Sequence, residues 1–147
     1  MKTTVSMMDL LPIIEEKLGN NSDVTLLVKG SSMRPFFQSN QTSVTLRKVN
    51  TTLKKWDVVL YRMSNNLIGL HRIVDIKGDY YVLCGDALMI KETIHKDAIM
   101  AVVCSFSEKG QMTDVTDLRY IRKVRWWVRF MFLRSVLLTY QKLVKGR

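Results

Sequence analysis

Short apolar runs and alternating apolar and polar positions, separated by turn residues, fill most of the segment 23–116. A period of two predicts β-strands that turn one face toward a core. Tight turns at 64–66 (SNN) and 77–79 (KGD) predict hairpins between neighbouring strands. The strands predicted in this way cover residues 23–30, 42–49, 56–63, 67–76, 80–86, 98–110 and 111–116.

Two further segments have apolar residues at helical spacing. Residues 7–18 predict a short helix, with Asp9 as its N-cap and Gly19 after its last turn. Residues 118–144 contain neither glycine nor proline and predict one long helix. The pattern between 87 and 97 is irregular and predicts neither a helix nor a strand. We therefore expect a mostly β fold with a short N-terminal helix and a long basic C-terminal helix.

Charge divides the chain at a similar place. A chain of 147 residues is long enough for one domain with a real core. Its formal charge is +10, yet all 13 acidic residues and 14 of the 23 basic residues precede Arg119. Nine basic residues and no acidic one follow from that position onward. We expect a nearly neutral domain at 1–117 and a basic helix at 118–147, so nucleic acid is not the expected partner of the domain surface.

The remaining composition excludes several kinds of site. Cys84 and Cys104 lack metal-ligand spacing and predict small strand residues. His71 and His95 lie far apart in the sequence, so we expect no metal and no other cofactor. The N-terminus lacks the form of a secretory signal because Asp9 interrupts its apolar run, and no stretch has the roughly 18 apolar residues of a membrane span. The expected location is the cytoplasm, with peripheral contact with a membrane as an option.

Three separated residues offer nucleophilic chemistry. KGSSMRPFF at 29–37 carries two hydroxyls in a turn between strands, but a serine needs a neighbouring base before it becomes nucleophilic. His71 lies within a predicted strand (GLHRIV), and Asp86 ends another in CGDAL, where a turn aims its carboxylate inward. Each also has a simpler interpretation: an exposed loop serine, a strand histidine with a satisfied ring and a turn-forming aspartate.

The order of these segments resembles a known family. GSSMRP, WDVVLYR, LHRIV and CGDAL follow the order of the motifs in the superfamily of type I signal peptidases and LexA-like repressor autoproteases. Residues 32–35 match its Ser-Met-x-Pro motif, and residues 85–86 match its GD motif near the end of the domain. In an earlier GD motif, Trp56 replaces the family's glycine while Asp57 matches. The resemblance covers roughly residues 24–104.

The resemblance implies a signal-peptidase/LexA-like β domain with a Ser–His site. Ser32, the serine of Ser-Met-x-Pro, is the expected nucleophile, and His71 stands where the superfamily has lysine or histidine as general base. A histidine with a pKa of about 6.5 acts as a base at neutral pH without the desolvation that a lysine needs. Asp86 is the expected third member, which would hold the ring tautomer. Asp57 is a rival for that role, although we expect it to turn the chain into its strand.

Substrate binding is assigned to residues around the nucleophile. Gly30 is expected to leave backbone room for an extended peptide, Ser31 to add a hydroxyl, and Met33 to line a pocket for a small side chain. The N–H of Ser32 is the expected oxyanion donor. Two departures from the family bear on the substrate. Ala87 follows the GD motif instead of asparagine or arginine, and no transmembrane anchor is expected before the serine.

The predicted function is therefore that of a serine endopeptidase of the signal-peptidase-like kind. One alternative is a regulator that cleaves itself or a partner, as LexA-like repressors do. It has less support, because no DNA-binding helical domain is expected upstream and the base position carries histidine. The other alternative is an inactive scaffold that binds a peptide or a membrane.

The basic segment 118–147 has interpretations of its own. Arg122, Arg125 and Arg129 share one sector of a helical projection, while tryptophans and phenylalanines spread apolar surface nearly all round. Arginine beside aromatic residues is typical of a helix at an anionic membrane surface. A helix packed on the β domain with its arginines reaching into solvent fits the pattern equally well. RNA or a protein is a further candidate partner of this segment.

Overall fold

The computed structural model describes residues 7–146. Residues 1–6, where the predicted domain 1–117 begins, and Arg147, where the predicted segment 118–147 ends, lie outside the described residues. Four further side chains lie outside the description: Met7, Met8, Phe132 and Leu138. The chain divides into two compact units, Met1–Val115 and Thr116–Arg147.

The first unit is a β fold preceded by one helix. Helix α1 spans Met7–Gly19, and a short 3-10 turn spans Lys96–Ala98. Asp9 lies in the first turn of α1 and not at the predicted N-cap, where its charge still favours the N-terminal end of the helix dipole. The eight strands within the described residues are β1 (Val24–Leu27), β2 (Thr42–Arg47), β3 (Val58–Arg62), β4 (Ile68–Lys77), β5 (Tyr80–Cys84), β6 (Glu92–His95), β7 (Ile99–Glu108) and β8 (Gln111–Asp114).

The strands form one sheet in the order β1-β2-β7-β3-β4-β5-β6, with β8 on β7. Every pairing between described strands is antiparallel. The long strand β7 pairs along one edge with β2 and along the other with β3 and then β8. The hairpin of β3 and β4 sets Tyr61 opposite Gly69 and Val59 opposite His71. A mostly antiparallel β fold, as the sequence predicts, is therefore confirmed.

Apolar side chains pack on both faces of strand β3. Val58 and Leu60 belong to one buried cluster, which also contains Ile14 of α1. Val59 and Tyr61 belong to a second buried cluster. Because successive strand residues face opposite sides of a sheet, β3 is buried on both faces, which explains its continuous apolar run.

Strand β6 is the main difference within the first unit. It lies in the segment 87–97, which predicts no regular element, and it pairs with β5 at the edge of the sheet. Its four residues, Glu-Thr-Ile-His, bury one apolar side chain, Ile94, and offer almost no alternation. Pairing with β5, and not local sequence preference, makes this segment a strand.

The second unit corrects the prediction of one long helix. It contains two shorter helices, α2 (Leu118–Arg129) and α3 (Met131–Lys145), which meet at Phe130. The backbone of Phe130 has φ −89° and ψ 0°, outside the helical region, and its N–H donates to the carbonyls of both Trp126 and Val128. Its ring packs on Trp126 with centroids 4.3 Å apart. The interruption needs neither glycine nor proline and leaves no signal in the sequence.

The helices are short relative to a lipid bilayer. Within residues 7–146, none is long and apolar enough to cross a membrane. Helix α2 begins at an N-cap, Asp117, whose carboxylate accepts the N–H groups of Arg119 and Tyr120. The cap accounts for the start of this helix just after the change in composition.

Candidate active site

Ser32 and His71 line the same cleft, although 39 residues separate them in sequence. The cleft has a volume of about 210 Å³. Its walls are mostly aliphatic and include Leu26, Val28, Val44, Leu46, Leu60 and Leu70. Within the described residues the two side chains make no hydrogen bond to each other.

The residue after Ser32 anchors the segment 29–37, the Ser32 loop, in the core. Met33 and Phe37 are almost fully buried, and the N–H of Phe37 donates to the carbonyl of Met33 at 3.0 Å. Ser32 is half-buried at the cleft wall. Its backbone N–H has no acceptor among the described residues, so it is free to receive an oxyanion.

The three predicted substrate-binding residues separate into two groups. Met33 lines the cleft, as expected. Gly30 and Ser31 are not among the residues that line it, and the peptide-binding roles predicted for them have no counterpart in the cleft. Gly30 has φ +86°, and a Cβ there would meet nothing within 4 Å, so the turn and not a close approach requires glycine. Its N–H donates to Ser39 Oγ at 3.0 Å.

A buried tyrosine holds the ring of His71. The hydroxyl of Tyr61 lies 2.9 Å from His71 Nδ1 and donates its proton to Glu92 Oε2 at 2.7 Å. A phenol has one proton, and a carboxylate accepts only. With its proton donated to Glu92, the Tyr61 hydroxyl has only lone pairs to offer Nδ1, an arrangement that suits an imidazole proton on Nδ1 and a lone pair on Nε2. This is the tautomer that a general base needs toward a hydroxyl in the cleft.

Burial shapes the titration of both rings. Desolvation lowers the pKa of His71 below its ordinary value of 6.5, against an opposing effect of the charges of Glu92 and Asp86. Desolvation and the hydrogen bond to Glu92 raise the pKa of Tyr61 well above its ordinary value, so the phenol keeps its proton. His71 is consequently neutral at neutral pH and able to accept a proton.

Gly69 makes room for this tyrosine. Because Tyr61 is paired with Gly69, its ring lies across the position that a side chain at 69 would occupy and reaches the diagonal neighbour His71. A Cβ on Gly69 would lie 2.7 Å from Cζ of Tyr61 and 2.7 Å from Cε of Met63. Glycine is required here because a ring passes over the backbone.

Asp86 does not orient His71, which corrects the predicted triad. Its two carboxylate oxygens accept from Nε and Nη2 of Arg72, both at 2.8 Å. Both side chains are buried, with 0% and 2% of their surface exposed. The ring of His71 instead bonds Tyr61, on the other face of β4. Asp86 affects His71 through its charge alone, which raises the pKa of His71.

Arg72 joins three loops that the sequence separates. Besides Asp86, it donates to the carbonyl of Trp56 at 2.7 Å and lies 5.3 Å from the ring centroid of Phe36. These partners belong to the Ser32 loop, the turn before β3 and the turn after β5. Asp57 serves the second of these turns, because its carboxylate accepts the N–H of Lys54 at 2.9 Å. Desolvation raises the pKa of Asp57.

The segment around the GD motif at 85–86 also contacts the Ser32 loop directly. The N–H of Ala87 donates to the carbonyl of Ser32 at 2.9 Å. A Cβ on Gly85 would lie 2.7 Å from that same carbonyl oxygen. The glycine therefore permits close approach, and the aspartate beside it pairs with Arg72.

Trp56 has a backbone conformation that favours glycine. Its φ is +81°, in the left-handed region, where a Cβ is strained. Glycine, the residue of the resembling motif at this position, would adopt this conformation without that strain.

No protein-family model matches the chain, and no characterised protein matches its sequence. The function is therefore inferred from the residues of the site.

Tyr61 and Glu92 are the residues of the candidate site that the sequence does not identify. Tyr61 reads as one apolar residue of a buried strand, and Glu92 lies in the segment that predicts no regular structure. The hairpin register offered a signal for Tyr61, since a two-strand pairing across SNN brings it near His71. Glu92 had none, because its position depends on β6 pairing with β5.

Proposed function

We propose that this protein is a serine endopeptidase of the signal-peptidase-like kind, with Ser32 as nucleophile and His71 as general base. The observation that carries the proposal is that Ser32 and His71 line one cleft while the Tyr61 hydroxyl, which donates to Glu92, contacts Nδ1 of His71. Because Nδ1 is engaged in this way, Nε2 is the nitrogen that we assign as the base.

The mechanism follows from these positions. The Oγ of Ser32 attacks a peptide carbonyl carbon while Nε2 of His71 takes the hydroxyl proton. The carbonyl oxygen becomes an oxyanion, which the N–H of Ser32 stabilises. His71 then gives the proton to the leaving amine as the C–N bond breaks, and an acyl-enzyme remains on Ser32. Water, deprotonated by the same nitrogen, hydrolyses the ester and restores the serine.

The meeting of the four resembling motifs supports the finer fold assignment. The Ser32 loop, the Trp56–Asp57 turn, the His71 strand and the Gly85–Asp86 turn are spread over 55 residues of sequence. They converge on Arg72 and on the carbonyl of Ser32. A shared β architecture alone would not bring four separate motifs to one place.

An extended peptide is the substrate shape that suits the cleft. Strand β1 lies at the end of the described sheet and pairs with β2, so its other edge can receive a peptide strand. Leu26, Val28 and Lys29, at and just after this strand, line the cleft beside Ser32. We expect the substrate to add to β1 and to place small or apolar side chains against the aliphatic wall.

The test is cleavage of a diverse peptide library, read by mass spectrometry. We expect the full chain to cut a defined set of sites, and Ser32→Ala and His71→Ala each to abolish cutting while keeping the far-ultraviolet circular dichroism of the wild type. Ser31→Ala, which removes the neighbouring hydroxyl, is the matched control and should cut normally. Full activity of Ser32→Ala on the same library contradicts the proposal.

We also propose that the second unit binds an anionic membrane surface. Trp126, Leu133, Leu137, Tyr140 and Val144 are exposed, and in α3 their spacing places them along one stripe. From 119 to 146 this unit has eight basic residues and no acidic one, and Asp117, the N-cap of α2, precedes them. Exposed apolar side chains beside an excess of positive charge favour the interface of an anionic bilayer.

Vesicle flotation tests this proposal. The full chain should float with vesicles that contain phosphatidylglycerol and remain unbound with neutral phosphatidylcholine vesicles. Leu137→Glu and the double variant Arg122→Gln, Arg125→Gln should each reduce flotation. Lys48→Gln, an exposed basic residue of the first unit, is the control. Equal binding to neutral vesicles, or unchanged binding of both variants, contradicts a membrane role.

A further inference from the structure

The hydrogen bonds behind His71 differ from those of a serine triad with aspartate. Where such a triad has one aspartate behind the histidine, this protein has two residues: Tyr61 contacts the ring of His71, and Glu92 contacts Tyr61. Tyr61 has no exposed surface, and Glu92 is half-buried on the edge strand β6. The chain Glu92–Tyr61–His71 crosses from β6 to the hairpin of β3 and β4, so each link comes from a different strand.

The direction of the two hydrogen bonds at Tyr61 depends on Glu92, the residue farthest from the ring of His71. A tyrosine hydroxyl can either donate to Nδ1 or accept from it. If it donates, the imidazole proton must be on Nε2, and the base has no lone pair for Ser32. Glu92 prevents this arrangement because its carboxylate takes the only phenolic proton. Tyr61 is then left with lone pairs for His71.

We propose that Glu92 is a positioning residue that, through Tyr61, fixes His71 in the tautomer with the proton on Nδ1. The catalytic consequence of this inference rests on the proposed peptidase function, but the tautomer itself does not. Glu92 contacts neither Ser32 nor the cleft, so it acts through Tyr61.

This mechanism predicts an unusual order among variants. In Glu92→Leu the phenol loses its acceptor, so it turns its proton toward Nδ1 and moves the imidazole proton to Nε2. In Tyr61→Phe the ring of His71 loses its partner and populates both tautomers. Removing the remote carboxylate is therefore expected to harm the base more than removing the hydroxyl in contact with it. A role in packing alone predicts the opposite order, because Tyr61 is the more buried residue.

Nitrogen NMR of the full chain labelled at histidine measures the tautomer directly. The experiment uses the Ser32→Ala background, and a His71→Ala spectrum identifies the signals of His71 against those of His95. We expect a protonated Nδ1 in the parent, the same tautomer in Glu92→Gln, whose amide oxygen still accepts from Tyr61, and a protonated Nε2 in Glu92→Leu. An Nε2-protonated parent, or a tautomer unchanged in Glu92→Leu, overturns the inference.

Activity provides the second readout on the wild-type background. We expect Glu92→Leu to lower kcat by up to about 10⁴-fold, the loss seen when a triad histidine adopts the wrong tautomer, with KM little changed. Tyr61→Phe should lose less, and Glu92→Gln should stay within about tenfold of wild type. Inactive wild-type protein with the expected tautomers would refute the peptidase proposal alone. Active protein with unmoved tautomers would refute the positioning role alone.

Discussion

Tyr61 lies directly opposite Gly69 in the β3–β4 hairpin, and its ring fills the space that a side chain at 69 would need. The ring is fixed at its hydroxyl end by Glu92 and His71. The orientation of the His71 ring therefore depends on the lack of a side chain at Gly69, two residues earlier in the strand.

Gly69→Ala should reduce cleavage without unfolding the protein. Its Cβ would lie 2.7 Å from Cζ of Tyr61, so the ring must move and its hydroxyl must leave the position between Glu92 and His71. Overpacking of this kind costs about 1–3 kcal/mol of unfolding free energy. We expect kcat to fall at least tenfold, measured on the best library peptide, which corresponds to about 1.4 kcal/mol of barrier.

Gly19→Ala is the control for that substitution. A Cβ at Gly19, the last residue of α1, would meet nothing within 4 Å. Both its activity and its unfolding free energy should match those of the wild type within about 0.5 kcal/mol. Wild-type kcat in Gly69→Ala would mean that the ring moves without consequence for the base.

Asp86→Asn should act on stability. It leaves the buried guanidinium of Arg72 without its countercharge, and breaking one side of a buried ion pair costs about 3–5 kcal/mol. We expect the guanidinium chloride midpoint to fall, with an unchanged slope, while protein that is still folded keeps its His71 tautomer. If cleavage disappears while the unfolding free energy stays at the wild-type value, Asp86 has a direct catalytic role after all.

The pH profile of kcat/KM should have its acidic midpoint below 6.5. Burial lowers the pKa of His71, and only the neutral ring is a base, so activity is lost as pH falls through that lowered pKa. The charge of Glu92 raises this pKa, so Glu92→Gln should move the midpoint to still lower pH. Substitution of exposed Glu16 by Gln is the control and should not move it.

The same shift affects stability with a definite sign. The unfolded chain binds a proton at His71 more tightly than the folded chain, so the folded state is favoured above the ordinary pKa of 6.5. The free energy of unfolding should fall as pH drops below 6.5, and His71→Ala should remove that part of the slope. An acidic midpoint above 6.5 in the activity profile contradicts the burial of the base.

Trp56 offers a matched test of backbone strain. Trp56→Ala and Trp56→Gly remove the same ring, but alanine keeps a Cβ at φ +81°. We expect the glycine variant to be more stable than the alanine variant by about 1 kcal/mol in chemical unfolding. Equal stabilities would mean that the turn relaxes out of the left-handed region when the ring is removed.

The sequence predicts the body of this fold well, because most strands have strong local signals. The run VVLY in β3 and its turn to β4 specify a hairpin without help from the rest of the chain. Strand β6 has no such signal, since its four residues become a strand only by pairing with β5. The interruption between α2 and α3 at Phe130 has no sequence signal either, because it contains neither glycine nor proline.

The candidate site likewise has residues that the sequence identifies and contacts that it does not. Ser32 and His71 belong to recognisable motifs, so the sequence identifies both as a candidate pair. The partner of His71 depends on which strands are neighbours and which face each residue takes, and that information is tertiary. The order of the motifs assigns Asp86 to His71, yet side-chain alternation along β4 places the partner of Asp86, Arg72, on the opposite face.

The arrangement around Arg72 has a consequence for motion. The guanidinium of Arg72 contacts Phe36 in the Ser32 loop, the carbonyl of Trp56 and the carboxylate of Asp86. A fluctuation that releases one loop exposes a charge shared by the other two, so the three loops open and close as one cooperative unit. Native-state hydrogen exchange should give the amides of the three loops a common opening free energy. Slow exchange of the Ala87 N–H, which donates to the carbonyl of Ser32, would show that the Ser32 loop is held in place.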